Sequence, residues 1–340
     1  MWQVIGQDKA VAFLRCSLDA GRLSHAYLFS GPRHVGKMTL AQNLAQALNC
    51  QEENRPCGSC RSCHAIARGN HPDVQVIGRG NEGSAETPKK EIGIDQMRQL
   101  QHAASLKPYE GSYRVFIIDG AEHLSEEGAN SLLKTLEEPA PNVVLVLLTT
   151  DYGLLLPTIV SRCHRVEFSP IPSPTTEQAL IQHWGAAAEK AEVLARLCHG
   201  AIGWAISALN DDRLLQERAQ KLERLISLHD ASIEQRFAYA AQLATQFTKN
   251  RDTVREELEL WRSWCRDLLL MKAGCANLVA NIDKETLLHR QAGRYSLTQI
   301  KGSIKAIGAA LLQLEQNANP RLVLEVLMLD IAAERKAGYA

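Results

Sequence analysis

The chain has 340 residues, 45% of them hydrophobic and 22% charged, and its 38 Lys and Arg balance its 38 Asp and Glu to a formal net charge of zero. Folding a chain of this length buries about 75% of the unfolded surface, enough for two or three domains, and the composition excludes wholesale disorder. The zero balance excludes a protein that coats nucleic acid by net charge alone and leaves only a local basic face for that purpose.

The first nine residues, MWQVIGQDK, hold no basic region leading into an apolar stretch. The most apolar run, residues 143–148, is far short of a membrane span and reads as a buried strand. Nine cysteines are too few for a disulfide scaffold. The expectation is a cytoplasmic protein with reduced thiols and no membrane contact.

In chain order, residues 25–30, 73–77, 113–119, 143–149 and 164–168 are short runs rich in Val, Ile, Leu, Phe and Tyr, and read as strands. Between them, 39–49, 95–105 and 126–138 carry helical patterns. Such alternation predicts an α/β domain, a largely parallel sheet with helices on both faces. The polar, Gly-rich stretch 78–90 reads as a loop. Residues 169–176 (SPIPSPTT) carry three prolines in eight positions and read as a linker. Beyond it no strand pattern follows. Residues 177–184, 189–198 and 201–209 predict three short helices, and amphipathic patterns such as 214–228 and 232–247 predict an all-helical C-terminal domain. A final helix is expected at about 320–334, opening on Pro320. No fixed-period repeat is present.

After the first strand comes Gly31-Pro-Arg-His-Val-Gly36-Lys37-Met38-Thr39, running into a helix. A phosphate loop needs glycines so that backbone N–H groups wrap the phosphates, a lysine for the β and γ charge, and a hydroxyl next to it for Mg²⁺. Here Met38 holds the hydroxyl position, and a thioether is a poor Mg²⁺ ligand. Thr39 comes one residue late. The strand Val115-Phe-Ile-Ile-Asp119 ends on an aspartate where an ATPase would hold Mg²⁺, but Gly120 follows, and Glu122 is displaced by two residues. Both departures predict impaired hydrolysis at this loop, unless a turn returns Glu122 to the site.

Cys50, Cys57, Cys60 and Cys63 fall within fourteen residues, where uniform scatter would place about 0.4, so the cluster is not accidental. Four thiolates spaced C-x6-C-x2-C-x2-C can close a tetrahedral Zn²⁺ site that staples a segment without its own core. An iron–sulfur reading fits less well because the position three residues further on is Ala67, and a redox CxxC remains an alternative. A catalytic zinc would need an open position, for which His64 and His71 are the nearby candidates. Cys16, Cys163, Cys198, Cys265 and Cys275 read as single, mostly buried thiols.

Several motifs together carry a resemblance. His25-Ala-Tyr-Leu-Phe-Ser-Gly-Pro, Asn130-Ser-Leu-Leu-Lys-Thr-Leu-Glu-Glu-Pro139, Leu148-Thr-Thr-Asp151 and Pro157-Thr-Ile-Val-Ser161-Arg162-Cys163 resemble bacterial clamp-loader AAA+ proteins, as does the place of the cysteine cluster. The resemblance covers residues 1–168 and extends more loosely to the end of the chain, including Asn319-Pro320-Arg321. It implies an AAA+ domain over 1–168, a small helical lid over 169–210 and a helical collar for oligomerisation over 211–340.

Within the family the chain is similar to the non-motor subunits. The motor keeps the hydroxyl after its lysine, the acidic pair, and an arginine in the lid; here the matching lid stretch is Gly200-Ala-Ile-Gly203-Trp204, with glycine for that arginine. The resemblance implies that Arg162 acts as an arginine finger in trans, reaching a nucleotide held by a neighbouring subunit. From the residues alone, a surface arginine paired to a local carboxylate is the favoured reading. It implies a degenerate nucleotide site of Gly31, Gly36, Lys37, Thr39, Asp119 and Thr150, able to hold ATP or ADP without hydrolysing it, and a structural Zn²⁺ on the four cysteines. Thr149 and Thr150 would sense a γ-phosphate there, or would simply satisfy backbone groups at a strand end. Lys134, Glu137 and Glu138 read as a solvated or interface face. The implied partners are tau/gamma-like motor subunits and a delta subunit in a hetero-oligomeric ring, with the sliding clamp and primed DNA reached through the assembly. Polymerase activity would belong to the holoenzyme. Two rivals stand beside this reading: a competent clamp-loader ATPase in which Thr39 and Glu122 restore the chemistry, and a zinc-bearing nucleic-acid binder outside replication.

Overall fold

A computed structural model of the chain describes residues 2–80 and 91–331. Ten of the thirteen residues of the anticipated 78–90 loop, and the last three of the anticipated final helix, lie outside the described residues. The fold divides into two compact units, one running up to Ala179 and including Gly200–Trp204, the other made of Leu180–His199 and the described residues from Ala205 onward.

The first unit is built on a parallel sheet of five strands, β1 (Ala26–Ser30), β2 (Val74–Ile77), β3 (Arg114–Asp119), β4 (Val143–Thr149) and β5 (His164–Glu167), in the order β2-β3-β4-β1-β5. Two of the three inner strands, β1 and β4, are buried along their whole length, as continuous apolar runs in a parallel sheet must be. The edge strands β2 and β5 are largely exposed. Six helices belong to this sheet: α1 (Asp8–Asp19), α2 (Lys37–Asn49), α3 (Arg61–Ala67), α4 (Ile94–Ala104), α5 (Glu126–Glu137) and α6 (Pro157–Val160).

Because side chains alternate across a strand, each strand feeds two cores. Tyr27, Phe29, Val115, Ile117, Val144 and Val146 pack with Leu14 of α1 and with Leu40, Leu44 and Leu48 of α2. Their neighbours Leu28, Phe116, Ile118, Leu145 and Leu147 pack on the opposite face with Met97 and Leu100 of α4 and Leu132 and Leu136 of α5. The two-sided α/β sheet expected from the alternation is therefore present. The sequence pattern had not disclosed α1, whose buried stripe is narrow, nor α3, a short helix N-capped by Cys60 inside the cysteine cluster.

The proline-rich stretch differs from the expected linker. Its second half is the first turn of α7 (Ser173–Trp184), because a proline there removes only an N–H that no helical carbonyl could reach. The remaining helices are α8 (Ala188–Leu197), α9 (Ile202–Asn210), α10 (Asp212–Asp230), α11 (Ile233–Lys249), α12 (Arg251–Lys272), α13 (Glu285–Arg294), α14 (Leu297–Glu315) and α15 (Pro320–Ile331). Capping boxes start α11 (Ser232 with Gln235) and α14 (Ser296 with Gln299). The second unit is wholly helical among its described residues. It is centred on α12, whose Trp261, Trp264 and Leu258 are buried among Leu243, Leu288, Ile307 and Leu324. The fully buried Asp267 carboxylate is satisfied by the amides of Ala280 (2.9 Å) and Asn281 (2.7 Å) and by the Asn281 side chain (2.6 Å). No helix among the described residues is long and apolar enough to cross a membrane.

Candidate functional site

The carboxyl ends of β1, β3 and β4 share one edge of the sheet. Ser30 is in register with Thr149, and Asp119 with Leu148. In open parallel sheets this edge is where ligands bind. The chain leaves β1 at Gly31, whose φ of +151° favours glycine, and a Cβ there would lie 2.3 Å from the carbonyl oxygen of Phe168. The Gly31 amide is tied to the Thr149 carbonyl at 3.2 Å. Gly36 then caps α2, so the helix begins at Lys37 with its free N–H groups facing the loop.

Lys37 folds over the loop, and its Nζ donates to the carbonyls of Gly31 and, at 2.6 Å, Pro32. Burial pushes its pKa down to about 8, although Glu122 and Asp119 oppose the fall. Met38 does not face the loop as a ligand would; it packs against the core beneath α2. Thr39 lies one position further along the helix and is half-buried. Asp119 is exposed at the tip of β3.

Glu122 was the displaced acid of the sequence, and the structure returns it to this edge. Gly120 takes a left-handed conformation (φ +76°) and starts a 3-10 turn over Ala121–His123. Glu122 Oε1 thereby accepts hydrogen bonds from the Thr150 hydroxyl at 2.8 Å and the Thr150 amide at 3.2 Å. Burial alone would raise the Glu122 carboxyl, but its own backbone amide, the Thr150 hydroxyl and His123 outweigh burial and hold it below the usual value. The residue is therefore an anion. Thr149 behaves differently: its hydroxyl donates to the Asp151 carbonyl at 2.9 Å, a strand-end role. The structure thus brings Lys37, Asp119, Glu122 and Thr150 to one edge around Gly31 and Gly36.

At the other end of α2, Cys50 follows Asn49 as the C-cap. The sulfurs of Cys50, Cys57, Cys60 and Cys63 all lie within 4.8 Å of one another, with Cys57 and Cys63 3.9 Å apart. Four sulfurs about 2.3 Å from one tetrahedral centre are about 3.8 Å from each other, so the set fits a metal ion. Amides already point at the sulfurs: Ser59 and Cys60 donate to Cys57 at 3.4 and 3.3 Å, and Cys63 to Cys60 at 3.4 Å. The Ser59 side chain first, then the Ser59 and Cys60 amides, draw the Cys57 thiol down to about 6, while burial pushes Cys63 up to about 12.

His71 is not a ligand. Its Nδ1 accepts from the Asp73 amide at 3.1 Å, so its Nε2 carries the proton and faces Ser62 at 3.0 Å, bracing α3. His64 is exposed. The module is also wired to α2, where Gln46 donates to the Cys63 carbonyl at 2.9 Å and is itself held by Asn43 at 3.0 Å. Of the five other cysteines, Cys198 and Cys265 are buried and Cys163 and Cys275 half-buried, but Cys16 is exposed on α1.

Arg162 follows the single turn of α6. In this chain alone it is paired: Nη2 bonds Glu137 Oε1 at 2.7 Å, and Nη1 bonds the Thr158 carbonyl at 3.0 Å. Glu137, read from sequence as part of a solvated or interface face, is its partner. An exposed pair of this kind is worth about 0–1 kcal/mol.

A phosphate loop after β1, an acidic tip on β3 and an intervening β4 define the first unit as an AAA+ domain of the P-loop class. Sequence comparison narrows the class. A model described as DNA polymerase III, delta subunit, matches residues 6–172, and another described as its C-terminal part matches 212–333. DNA polymerase III subunit delta' of Bacillus subtilis is 29% identical over 324 residues, 95% of each chain. DNA polymerase III subunit gamma/tau of Mycobacterium tuberculosis is 41% identical over 184 residues, 53% of this chain and 30% of that one. The chain therefore spans about 30% of the length of the gamma/tau relatives. Among solved structures, a DNA polymerase III gamma subunit-related protein of Thermotoga maritima aligns over 94% of this chain and 98% of its own, at 18% identity and a TM-score of 0.45. The chain belongs to the DNA polymerase III clamp-loader family, and over 95% of its length it is similar to delta-prime.

Proposed function

We propose that this chain is a non-motor subunit of the bacterial clamp loader, a cytoplasmic assembly that uses ATP to place a sliding clamp on primed DNA. The observation that carries the reading is the match to delta-prime over 95% of both chains. Met38 in place of a hydroxyl and Gly120 in place of a glutamate support the non-motor assignment, since neither can hold Mg²⁺ or orient water.

In this reading the chain is organised as an AAA+ domain (1–168), a lid (169–210) and a collar (211–340) that joins the ring. Its partners are tau/gamma-like motor subunits and a delta subunit. The loop residues Gly31, Gly36, Lys37 and Thr39, with Asp119 and Thr150, hold ATP or ADP without turning it over. Arg162 exchanges Glu137 for the γ-phosphate of a neighbouring motor, where a guanidinium neutralises charge developing on the transferred group, an effect of about 10³–10⁵ in rate for arginine fingers. The four cysteines hold Zn²⁺ as a structural staple. Bound there, zinc would contribute folding energy and no chemistry.

One observation favours a second reading, a competent ATPase: Glu122 lies beside Lys37 and Thr150. The purified chain, assayed alone and with clamp and primed DNA, separates the two. The non-motor reading expects no turnover above background. Robust hydrolysis abolished by Lys37→Ala, with no motor subunit present, would establish the ATPase instead.

A further inference from the structure

In P-loop proteins the terminal phosphate is received by the loop lysine and by polar groups at the neighbouring strand end. Here one carboxylate is bonded to the strand-end group and acts on the lysine through its charge. Glu122 Oε1 takes the hydroxyl and the amide of Thr150, and the Glu122 charge is the strongest attractive influence on Lys37. Its second oxygen, Oε2, is buried with no hydrogen-bond partner among the described residues.

We propose that Glu122 makes this phosphate loop a nucleoside diphosphate site that discriminates against triphosphates. The inference rests on the loop holding nucleotide, and it is independent of whether Arg162 serves a neighbour. A diphosphate needs only the loop amides and Lys37. A third phosphate would enter beside a partly buried anion, where like charges are poorly screened. To admit it, Glu122 would have to take up a proton, against the pull of its donors, or swing away and leave the Thr150 hydroxyl and amide without their acceptor.

Two further features point the same way. Met38 is packed against the core, so no hydroxyl at that position helps Mg²⁺ bridge the β- and γ-phosphates. Gly203 brings backbone to the loop rather than a side-chain charge. Its amide donates to the His34 carbonyl at 2.8 Å, and a Cβ there would lie 3.0 Å from that oxygen.

The test is calorimetric titration of the purified full-length chain with ADP and with a non-hydrolysable ATP analogue, both with Mg²⁺. ADP is expected to bind about tenfold more tightly or better, and Glu122→Gln, which keeps an acceptor for Thr150 and removes the charge, to bring the analogue within about threefold of ADP. Equal affinities in the wild-type chain overturn the proposal, as does binding of neither nucleotide. A folded Glu122→Gln that keeps the wild-type preference also overturns it. The wild-type comparison decides alone where the variant folds poorly, and failure here leaves the clamp-loader reading to its own test on Arg162.

Discussion

The two ends of α2 carry two sites with opposite tolerance for loss. At its C-terminal end Cys50 joins three more thiols within 4.8 Å, the complete donor set that a tetrahedral ion requires. At its N-terminal end the backbone part of a phosphate cradle is complete, while the position that should meet Mg²⁺ is Met38, half-buried and packed against the core. A metal site fails when one ligand is lost. A phosphate loop keeps its shape without its catalytic side chains, because that shape comes from Gly31 against Phe168, the Gly31–Thr149 hydrogen bond and the first turn of a buried helix. A loop without a motor's side chains can therefore still serve as architecture.

The largest effect should come from the cysteine end. Cys63→Ser is expected to abolish metal binding, from about one zinc per chain to none, and to lower the melting temperature by on the order of 10 °C. Elemental analysis and thermal unfolding check this, and a metal-free wild-type chain purified anaerobically without chelators would remove the ligand assignment. A smaller effect is expected from Gln46→Leu, which deletes the link from α2 to the Cys63 carbonyl. Chelator competition should show metal affinity lowered by about 10–100-fold, the usual cost of losing an outer hydrogen bond of a metal site. No change would mean that the helix and the module are independent.

The smallest effect belongs to the loop. Lys37 titrates at about 8 in the folded chain against 10.5 when unperturbed. Below pH 8 it is charged in both folded and unfolded states, and the cost of burying it is fully present; that cost is relieved as pH rises from 8 towards 10.5. A bound polyphosphate raises the Lys37 pKa again, so binding takes up a proton above pH 8. ADP affinity should hold steady from pH 6 to 7.5 and then fall by up to about tenfold per pH unit above 8. A flat profile to pH 9.5 would place the Lys37 ammonium away from the phosphates.

Most of the sheet was legible in the sequence because its inner strands are buried on both faces and read as unbroken apolar runs, β4 above all. The cysteine cluster was legible because four ligands crowd into one short stretch. What escaped depends on chain reversals and on distant partners. The return of Glu122, open in the sequence only as an alternative, hinges on the left-handed Gly120, because a spacing rule that expects the acid directly after Asp119 passes over it. The Arg162–Glu137 pair joins residues 25 apart in the chain, both in polar surroundings that carry no periodic signal. Asp73 is a third case: one buried carboxylate gathers the amides of Tyr109, Glu110 and Gly111 at 2.7–2.8 Å and pairs with Arg114, yet in sequence it is an ordinary acidic residue before a strand. Pro174 misled because it falls within the first turn of α7, and Cys16 lies on the exposed side of α1.

The central claim is that this subunit acts on a neighbour's nucleotide and hydrolyses none of its own. The most direct measurement is rapid-quench counting of ATP hydrolysed per clamp-loading event, in clamp loaders reconstituted with the wild-type chain or with Arg162→Ala. The account predicts that the variant assembles with unchanged stoichiometry, and that turnover at the one motor site it faces slows by about 10³-fold or more. An unchanged count and rate in the Arg162→Ala complex would contradict it.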